Sequence, residues 1–342
     1  MAPQAYPTAG QTTTVCVTGA AGFMASWLVK RLLEKGYIVH ATVRDPENKA
    51  KVSHLLNLPG ATDRLKLFRA ELCEDGSFDA AVAGCNGVFH VATPTEFMPK
   101  DPENDLIKPA IEGTLNVLKS CTKVDSIKRV VVTSSAATVS INNSSEQNQY
   151  IDESCWTDVN FLTSQKPPGW AYPVSKTLAE QAALKYAEEH SLDVVTVIPV
   201  LVVGPAVTPT VPSSVELALS LITGDEFKMG ALKGMQFVSG SISLVHIDDV
   251  CSAQIFLMEK PSAQGRYICF PVNTGIPQLA EFLSKRYPQY KVPTKFDDVP
   301  ATPKLTISSQ KLLDCGFSFK YGIEDIYDQA IEYMKTKGLL TC

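Results

Sequence analysis

From Thr14 to Ile198 the chain alternates two hydrophobic patterns. Short β-branched runs predict strands over residues 14–17, 37–43, 65–68, 87–91, 129–133 and 193–198. Between them apolar residues recur at helical spacing. Phe23, Trp27, Leu28 and Leu32 share a face after Gly22, a second helix follows Arg44-Asp45-Pro46 to about residue 58, and a short one falls near 77–83. Over residues 101 to about 122, Asp101-Pro102 supply a cap and a first helical position, while Leu106, Ile107, Ala110, Ile111, Leu115 and Leu118 face inward. A further helix spans residues 172–190. Strands alternating with helices imply parallel pairing through right-handed crossovers, hence an α/β fold, a Rossmann-type doubly wound parallel sheet.

The pattern changes after Pro199. Pro205, Pro209 and Pro212 interrupt the chain, a helix is expected over 215–223, and Gly224, Gly230, Gly234 and Gly240 mark a composition shift. Residues 243–249 and a helix to about 260 return to the first lobe; from Gly265 onward come short strands and two helices, 276–285 and 323–337. The expected organisation is a flexible tail (1–13), a dinucleotide-binding Rossmann domain (14–198 plus 241–264) and a smaller C-terminal substrate lobe (199–240 plus 265–342). The polar tract 142–149 and the segment 152–158 form a long loop ending at Pro167-Pro168-Gly169-Trp170, and loops of that length inside a domain are often functional.

Composition narrows the class. The chain has 342 residues, 45% hydrophobic and 20% charged, the make-up of a soluble enzyme-sized protein. A net charge of −5 argues against nucleic acid or an anionic membrane surface as the main partner, so a bound anion must be held by a local pocket. The nine cysteines are scattered, without Cys-x-x-Cys or a histidine pair at ligand spacing, and read as reduced thiols with no metal site; Cys16 and Cys269 lie in apolar runs. No apolar stretch reaches membrane-spanning length and residues 1–13 lack the features of a signal peptide, which gives a cytoplasmic expectation. Asn142 and Asn143 open formal glycosylation sequons, read as chance in that setting. There is no internal repeat and no coiled-coil pattern.

In a parallel sheet the strand C-termini line one crevice, where ligands bind. Gly19 and Gly22 after the first strand let the backbone approach a pyrophosphate, and the helix N-terminus behind them offers free N–H groups to it. Ala25 stands where a third glycine is usual, and the plain alternative is a tight turn. Arg44, after the second strand, takes the place of the acid that would grip a ribose 2′-hydroxyl; a guanidinium suits a 2′-phosphate, with Lys51 as a second charge, and this points to NADPH. A solvated Arg and a surface Lys are the alternatives, and Asp45 keeps NAD open. Glu71 follows the third strand, Ala92-Thr93-Pro94 the fourth, Ser134-Ser135 the fifth and Pro199 the sixth.

Tyr172 and Lys176 are four residues apart on one helical face. A cation beside a phenol, whose ordinary pKa is about 10, moves it toward working range for acid–base chemistry. Ser135 would hydrogen-bond a substrate oxygen as negative charge develops there. Singly, an exposed Tyr/Lys pair is ordinary. His90 reads as packed or locally hydrogen-bonded, and His246, near Asp248 and Asp249, as structural, since no serine elbow accompanies it. Trp170 either walls a flat aromatic substrate or anchors a helix start.

Together, Thr18-Gly19-x-x-Gly22-x-x-Ala25, Ser135 and Tyr172-x-x-x-Lys176 resemble the extended short-chain dehydrogenase/reductases. Within that family, Phe89-His-Val-Ala-Thr-Pro94, Thr133-Ser-Ser-Ala-Ala137, Asp152-Glu-Ser-Cys-Trp156 and Tyr172-Pro-Val-Ser-Lys-Thr-Leu-Ala-Glu180 are similar to the plant flavonoid reductases, a likeness covering about residues 14–340. The resemblance implies NADPH-dependent reduction of a small flavonoid, anthocyanidin to flavan-3-ol, with Ser135, Tyr172 and Lys176 as the catalytic set. It implies cofactor contacts at Gly19, Ala21, Gly22, Phe23, Met24, Arg44, Lys51, Val91, Ala92, Thr93, Pro94 and Pro199, besides Tyr172 and Lys176. Glu71-Leu72 stand where the family usually has Asp-Leu at the adenine edge. The rival is dihydroflavonol reduction. That branch commonly has Asn where Ser140 stands and lacks the extra segment Ser239-Gly-Ser-Ile-Ser243. Ser140 and Trp170 join Ser135 and Tyr172 as expected substrate contacts. A nucleotide-sugar epimerase and a non-catalytic dinucleotide sensor share parts of the pattern.

Overall fold

The computed structural model describes residues 13–94, 99–141, 149–300 and 305–341. All but the last residue of the expected tail, the sequon asparagines and most of the polar tract 142–149 lie outside the described residues.

Among the described residues the strands are β1 (Thr14–Val17), β2 (Ile38–Val43), β3 (Leu65–Arg69), β4 (Gly87–His90), β5 (Arg129–Thr133), β6 (Gln149–Ile151), β7 (Val194–Pro199), β8 (Leu201–Val203), β9 (Ile242–His246), β10 (Gly265–Cys269), β11 (Val272–Thr274) and β12 (Leu305–Ile307). Seven of them form one all-parallel sheet in the order β10-β7-β5-β4-β1-β2-β3. Side chains alternate between two buried faces. Val131, Val195 and Val197 pack with Leu28 and Leu32 of the helix Phe23–Glu34 and with Val250 and Leu257 of Ile247–Glu259. Val88, Val130 and Val132 pack with Val117 and Leu118 of Lys108–Thr122 and Ala183 of Ala171–His190. Cover on both faces is why these strands read as unbroken apolar runs. The order reverses between β1 and β4, and there the crevice opens.

A second core lies over the small sheet β11-β9-β8, where β9 runs parallel to β8 and antiparallel to β11. Leu244, Val215, Leu279, Ile326 and Tyr327 fill it, from β9 and from the helices Ser213–Ala218, Ile276–Arg286 and Ile323–Thr336. A parallel pair, β6 with β12, ties the middle of the chain to its C-terminal part.

Several elements depart from the sequence expectation. Gly265–Cys269, assigned above to the substrate lobe, is the edge strand of the large sheet, where its buried Tyr267, Ile268 and Cys269 find cover beside β7. Ile242–His246, assigned to the first lobe, belongs instead to the small sheet, although the helix Ile247–Glu259 that follows packs back on Phe23–Glu34. The glycine-rich stretch contains a helix, Glu226–Ser239. Asp225 caps it by accepting from the Lys228 N–H at 3.0 Å, and Gly240 ends it at φ 73°. Gly230 and Gly234 sit on its exposed side with open space where a Cβ would be.

The long loop holds β6 and the helix Val159–Gln165, capped by Asp158 accepting from Phe161 N–H at 2.8 Å. The helix expected over 215–223 is broken at Leu219 into Ser213–Ala218 and Ser220–Thr223. Lys108–Thr122 is preceded by a wide π-turn, Glu103–Ile107, because Pro109 has no N–H for the ordinary bond to the Asp105 carbonyl.

Candidate active site

The first strand's turn is pressed against the end of β4. Gly19 has φ 67°, and a Cβ there would stand 3.0 Å from the Ala92 Cα, so this contact needs glycine. Thr18 Oγ1 accepts from the N–H groups of Val91 (3.1 Å) and Ala92 (3.0 Å) and bonds His90 Nδ1 at 3.0 Å. His90 Nε2 meets Thr114 Oγ1 at 3.2 Å. Burial, with the Lys176 charge adding to it, pushes the His90 pKa down to about 3, so the ring is a neutral strut that fixes the β1–β4 crevice.

Gly22 starts the helix Phe23–Glu34 with no side-chain cap and no acidic residue in its first turn. Its leading N–H groups are therefore available to an anion. Ala21, Phe23, Met24, Val91, Ala92, Thr93 and Pro94 are all half-buried around this turn. Arg44, after β2, and Lys51, in the helix Lys49–Leu56, are exposed. Asp45 is engaged locally, its Oδ1 accepting from the Glu47 N–H at 3.0 Å, which favours Arg44 over Asp45 as the ribose-end contact. Glu71 is fixed by Ser77, whose hydroxyl accepts from its N–H at 2.8 Å and donates to its carbonyl at 2.9 Å. Leu72 lies so close to the helix Lys108–Thr122 that a Cβ at Gly113 would come within 2.9 Å of it. A cradle that a Cβ would close, an uncapped helix start and two exposed cations together fit a dinucleotide carrying a 2′-phosphate.

Ser135 leaves β5 in extended backbone and caps the short turn Ala136–Thr138, its Oγ accepting from the Ala137 N–H at 3.2 Å. Tyr172, in the first turn of Ala171–His190, shares a side-chain hydrogen bond with Ser135. Lys176, one turn on and 6% exposed, donates to the Thr133 carbonyl at 2.9 Å. The fold thus brings together three residues far apart in sequence. Burial lowers the Lys176 pKa to about 8, with Glu180 acting against it. The expected lowering of the Tyr172 phenol is not what the structure gives: burial raises it, and only the Ser135 hydrogen bond opposes the rise. The phenolate would lose more water than its surroundings replace, while the Lys176 ammonium is turned to a backbone carbonyl.

Pro199 is buried at the end of β7, paired with Cys269 of β10. Ser140, 4% exposed, lies behind the Ala136–Thr138 turn, its N–H donating to the Ala136 carbonyl. Trp170 is half-buried at the start of Ala171–His190, packed on the cluster of Ile107, Ile141, Leu162 and Val174. His246 caps the helix Ile247–Glu259, its Nδ1 accepting from the Asp248 N–H at 3.1 Å, and its ring lies 4.0 Å from that of Tyr321. Asp248 holds Trp27 Nε1 at 2.9 Å and Arg31 Nε at 3.0 Å, so this string is a strut between elements.

Sequence reasoning passed over Glu180, one turn beyond Lys176 and 2% exposed. Its carboxylate accepts from Ser134 Oγ and Thr196 Oγ1, each at 2.6 Å, and from Arg266 Nε at 3.0 Å. A small cavity is lined by His90, Thr114, Thr133, Ser134, Lys176 and Glu180. The signal was present as one more residue on the i, i+4 face of Tyr172 and Lys176, but the partner Arg266 lies 86 residues away.

Comparison with known proteins agrees with this geometry. Residues 15–270 match the NAD dependent epimerase/dehydratase family. An anthocyanidin reductase ((2S)-flavan-3-ol-forming) of Vitis vinifera is 61% identical over 96% of each chain. A dihydroflavonol 4-reductase of Callistephus chinensis is 51% identical over 96% of this chain and 88% of its own. Among solved structures, alfalfa vestitone reductase superposes with a TM-score of 0.81 at 41% identity, covering 96% of this chain and 99% of its own. The yeast methylglyoxal/isovaleraldehyde reductase Gre2, complexed with NADPH, gives 0.79 at 26% identity over 96% of this chain and all of its own. No helix among the described residues is long and apolar enough to cross a membrane. Sheet order, the crevice at its reversal and identity across nearly the whole length agree: the chain is an oxidoreductase of the NAD-dependent epimerase/dehydratase family, on the branch that holds the anthocyanidin and dihydroflavonol reductases.

Proposed function

We propose that the protein is a cytoplasmic, NADPH-dependent reductase that converts anthocyanidins to flavan-3-ols. The observation that carries this is the meeting of Ser135, Tyr172 and Lys176 beside the crevice, in a chain 61% identical to an anthocyanidin reductase. NADPH, when bound, would supply hydride to an electrophilic flavonoid carbon, and because an anthocyanidin cation takes two hydrides and one proton to become a flavan-3-ol, two NADPH are consumed in turn. Gly19, Ala21, Gly22, Phe23 and Met24 would hold its pyrophosphate through their backbone. Arg44 and Lys51 would hold the 2′-phosphate and Glu71-Leu72 the adenine edge, with Val91, Ala92, Thr93, Pro94 and Pro199 along the rest of its path.

A phenol kept protonated by burial is the form a reduction needs, so Tyr172 acts as the proton donor. The Ser135 hydrogen bond stabilises the phenolate left after donation, and the Lys176 ammonium, fixed on the Thr133 carbonyl, would hold the nicotinamide ribose. Ser135, hydrogen-bonded to Tyr172, orients the substrate oxygen. Trp170 offers a flat apolar face to the substrate, and Ser140 shapes the turn behind Ser135.

The second reading, dihydroflavonol 4-reductase, has the 51% identical relative in its favour. NADPH consumption followed by absorbance with cyanidin or dihydroquercetin separates the two. Oxidation with cyanidin, faster with NADPH than with NADH, is the expected result. Consumption with dihydroquercetin alone would transfer the chain to the second reading, and none with either would remove the reductase assignment.

A further inference from the structure

The helix Ala171–His190 carries three polar side chains one turn apart on one face, Tyr172, Lys176 and Glu180, and the mechanism above uses only two. Glu180 is buried, an expensive place for a carboxylate unless it is paired. Its partner comes from the far edge of the sheet. Arg266 of β10 donates to Glu180 Oε1 through Nε (3.0 Å) and to Oε2 through Nη2 (3.3 Å). Arg266 also donates to the carbonyls of Glu153 (2.9 Å) and Cys155 (2.7 Å) and to Thr138 Oγ1 (3.2 Å), and the Trp156 ring lies 3.5 Å from its guanidinium carbon. The segment Asp152-Glu-Ser-Cys-Trp156, conspicuous in the sequence, is therefore wrapped around this one cation.

Both ends of the unit close on Ser135. Ser134 Oγ, from the residue before it, donates to Glu180 at 2.6 Å. Thr138 Oγ1, which accepts from Arg266, donates to the Ser135 carbonyl at 2.9 Å. We infer that Glu180, clamped by Arg266, is a positioning residue that fixes the backbone of Ser135 and sets the charge of Lys176. This rests on the roles given to Ser135 and Lys176 above.

The electrostatic surroundings of Lys176 support it. From its own helix it faces Tyr172 and Glu180; from β4, the neutral His90; from β5, the Thr133 carbonyl; from Lys108–Thr122, the uncharged Thr114 behind His90; and from β10, Arg266 through Glu180. Glu153 and Lys311 flank Arg266 on its other side. Burial favours the neutral amine at Lys176, and Glu180 is the charge that opposes it. An isosteric Glu180→Gln removes that charge while keeping an acceptor oxygen for one of Ser134 and Thr196, which bond different carboxylate oxygens; the other hydroxyl turns to accept from the amide NH2.

The test titrates Lys176 by NMR in the cofactor-free protein, with lysines labelled with 13C at Cε and the resonance assigned through Lys176→Met. Substrate does not enter, so failure here is separable from failure of the proposed activity. In Glu180→Gln the Lys176 midpoint should fall by about one pH unit. In the loaded enzyme, kcat with cyanidin at pH 7.5 should drop about threefold, as the charged fraction of Lys176 falls with its midpoint from about 8, and recover toward lower pH. A packing role would lower the melting temperature and leave the titration in place. A midpoint unchanged from the parent protein overturns the inference. Should Glu180→Gln fail to fold because it leaves Arg266 unpaired, the double variant Glu180→Gln, Arg266→Met removes both buried charges; with the nearer, negative one gone the Lys176 midpoint should still fall, and no fall overturns the inference.

Discussion

Burial acts on Tyr172 and Lys176 in opposite senses: it raises the phenol and lowers the ammonium, so each is held nearer its neutral form. Tyr172 is thereby loaded with the proton a reduction consumes. Replacing it with Phe keeps the ring and removes only that proton and the bond to Ser135. Turnover should fall by about 10²–10⁴-fold, with NADPH affinity, measured by fluorescence titration, within about twofold of the parent; full turnover in Tyr172→Phe would remove the acid role. The pairing of Tyr172 with Lys176 is legible in the sequence because helix periodicity alone puts both on one face. The direction of the Tyr172 shift is not, because it depends on how much water the fold removes. Glu180 was visible in the same repeat, but its meaning needs Arg266, whose place beside it depends on the pairing of β10 with β7.

Elements of the large sheet are legible because both of their faces are buried and their runs are strongly β-branched. The crevice residues follow from strand ends. What escapes is held by single polar bonds: Asp158 and Asp225 each cap a helix that composition hides, one in a polar loop and one among glycines. Another element-scale feature is the approach of Gly113 to Leu72, which joins the helix Lys108–Thr122 to the end of β3. Gly113→Ala puts a methyl within 2.9 Å of Leu72 and should destabilise the fold by about 1–3 kcal/mol. Thermal unfolding measures this, and Leu72→Ala in the same chain should return part of the loss. An unchanged melting temperature would mean that Leu72 gives way freely.

Across the whole molecule, two histidines are buried neutral, His90 with its pKa pushed down to about 3 and His246 to about 4. Unfolded, each takes up a proton near pH 6.5, so the unfolded state binds more protons below that pH and the fold loses stability as pH falls from about 6.5. Each contributes a slope of about 1.4 kcal/mol per pH unit. The melting temperature should fall between pH 6.5 and 5, and His246→Gln should remove part of the fall, the rest coming from His90 and from His54, whose pKa burial also lowers; an unchanged slope would show that His246 takes up its proton within the fold. Which residues share a lobe was the least legible feature, since β9 and β10 are alike in length and apolar content and only pairing partners separate them.

That crossing of the chain between sheets has a consequence for how such a protein diversifies. The chain leaves the large sheet after β7, builds β8 and β9, re-enters at β10 and leaves again at β11, while β12 reaches back to β6. No single cut yields two self-sufficient halves, and the part built on the small sheet cannot be transplanted by one recombination event. A new substrate preference has to arrive by substitution in place, inside a scaffold whose cofactor half must stay folded throughout.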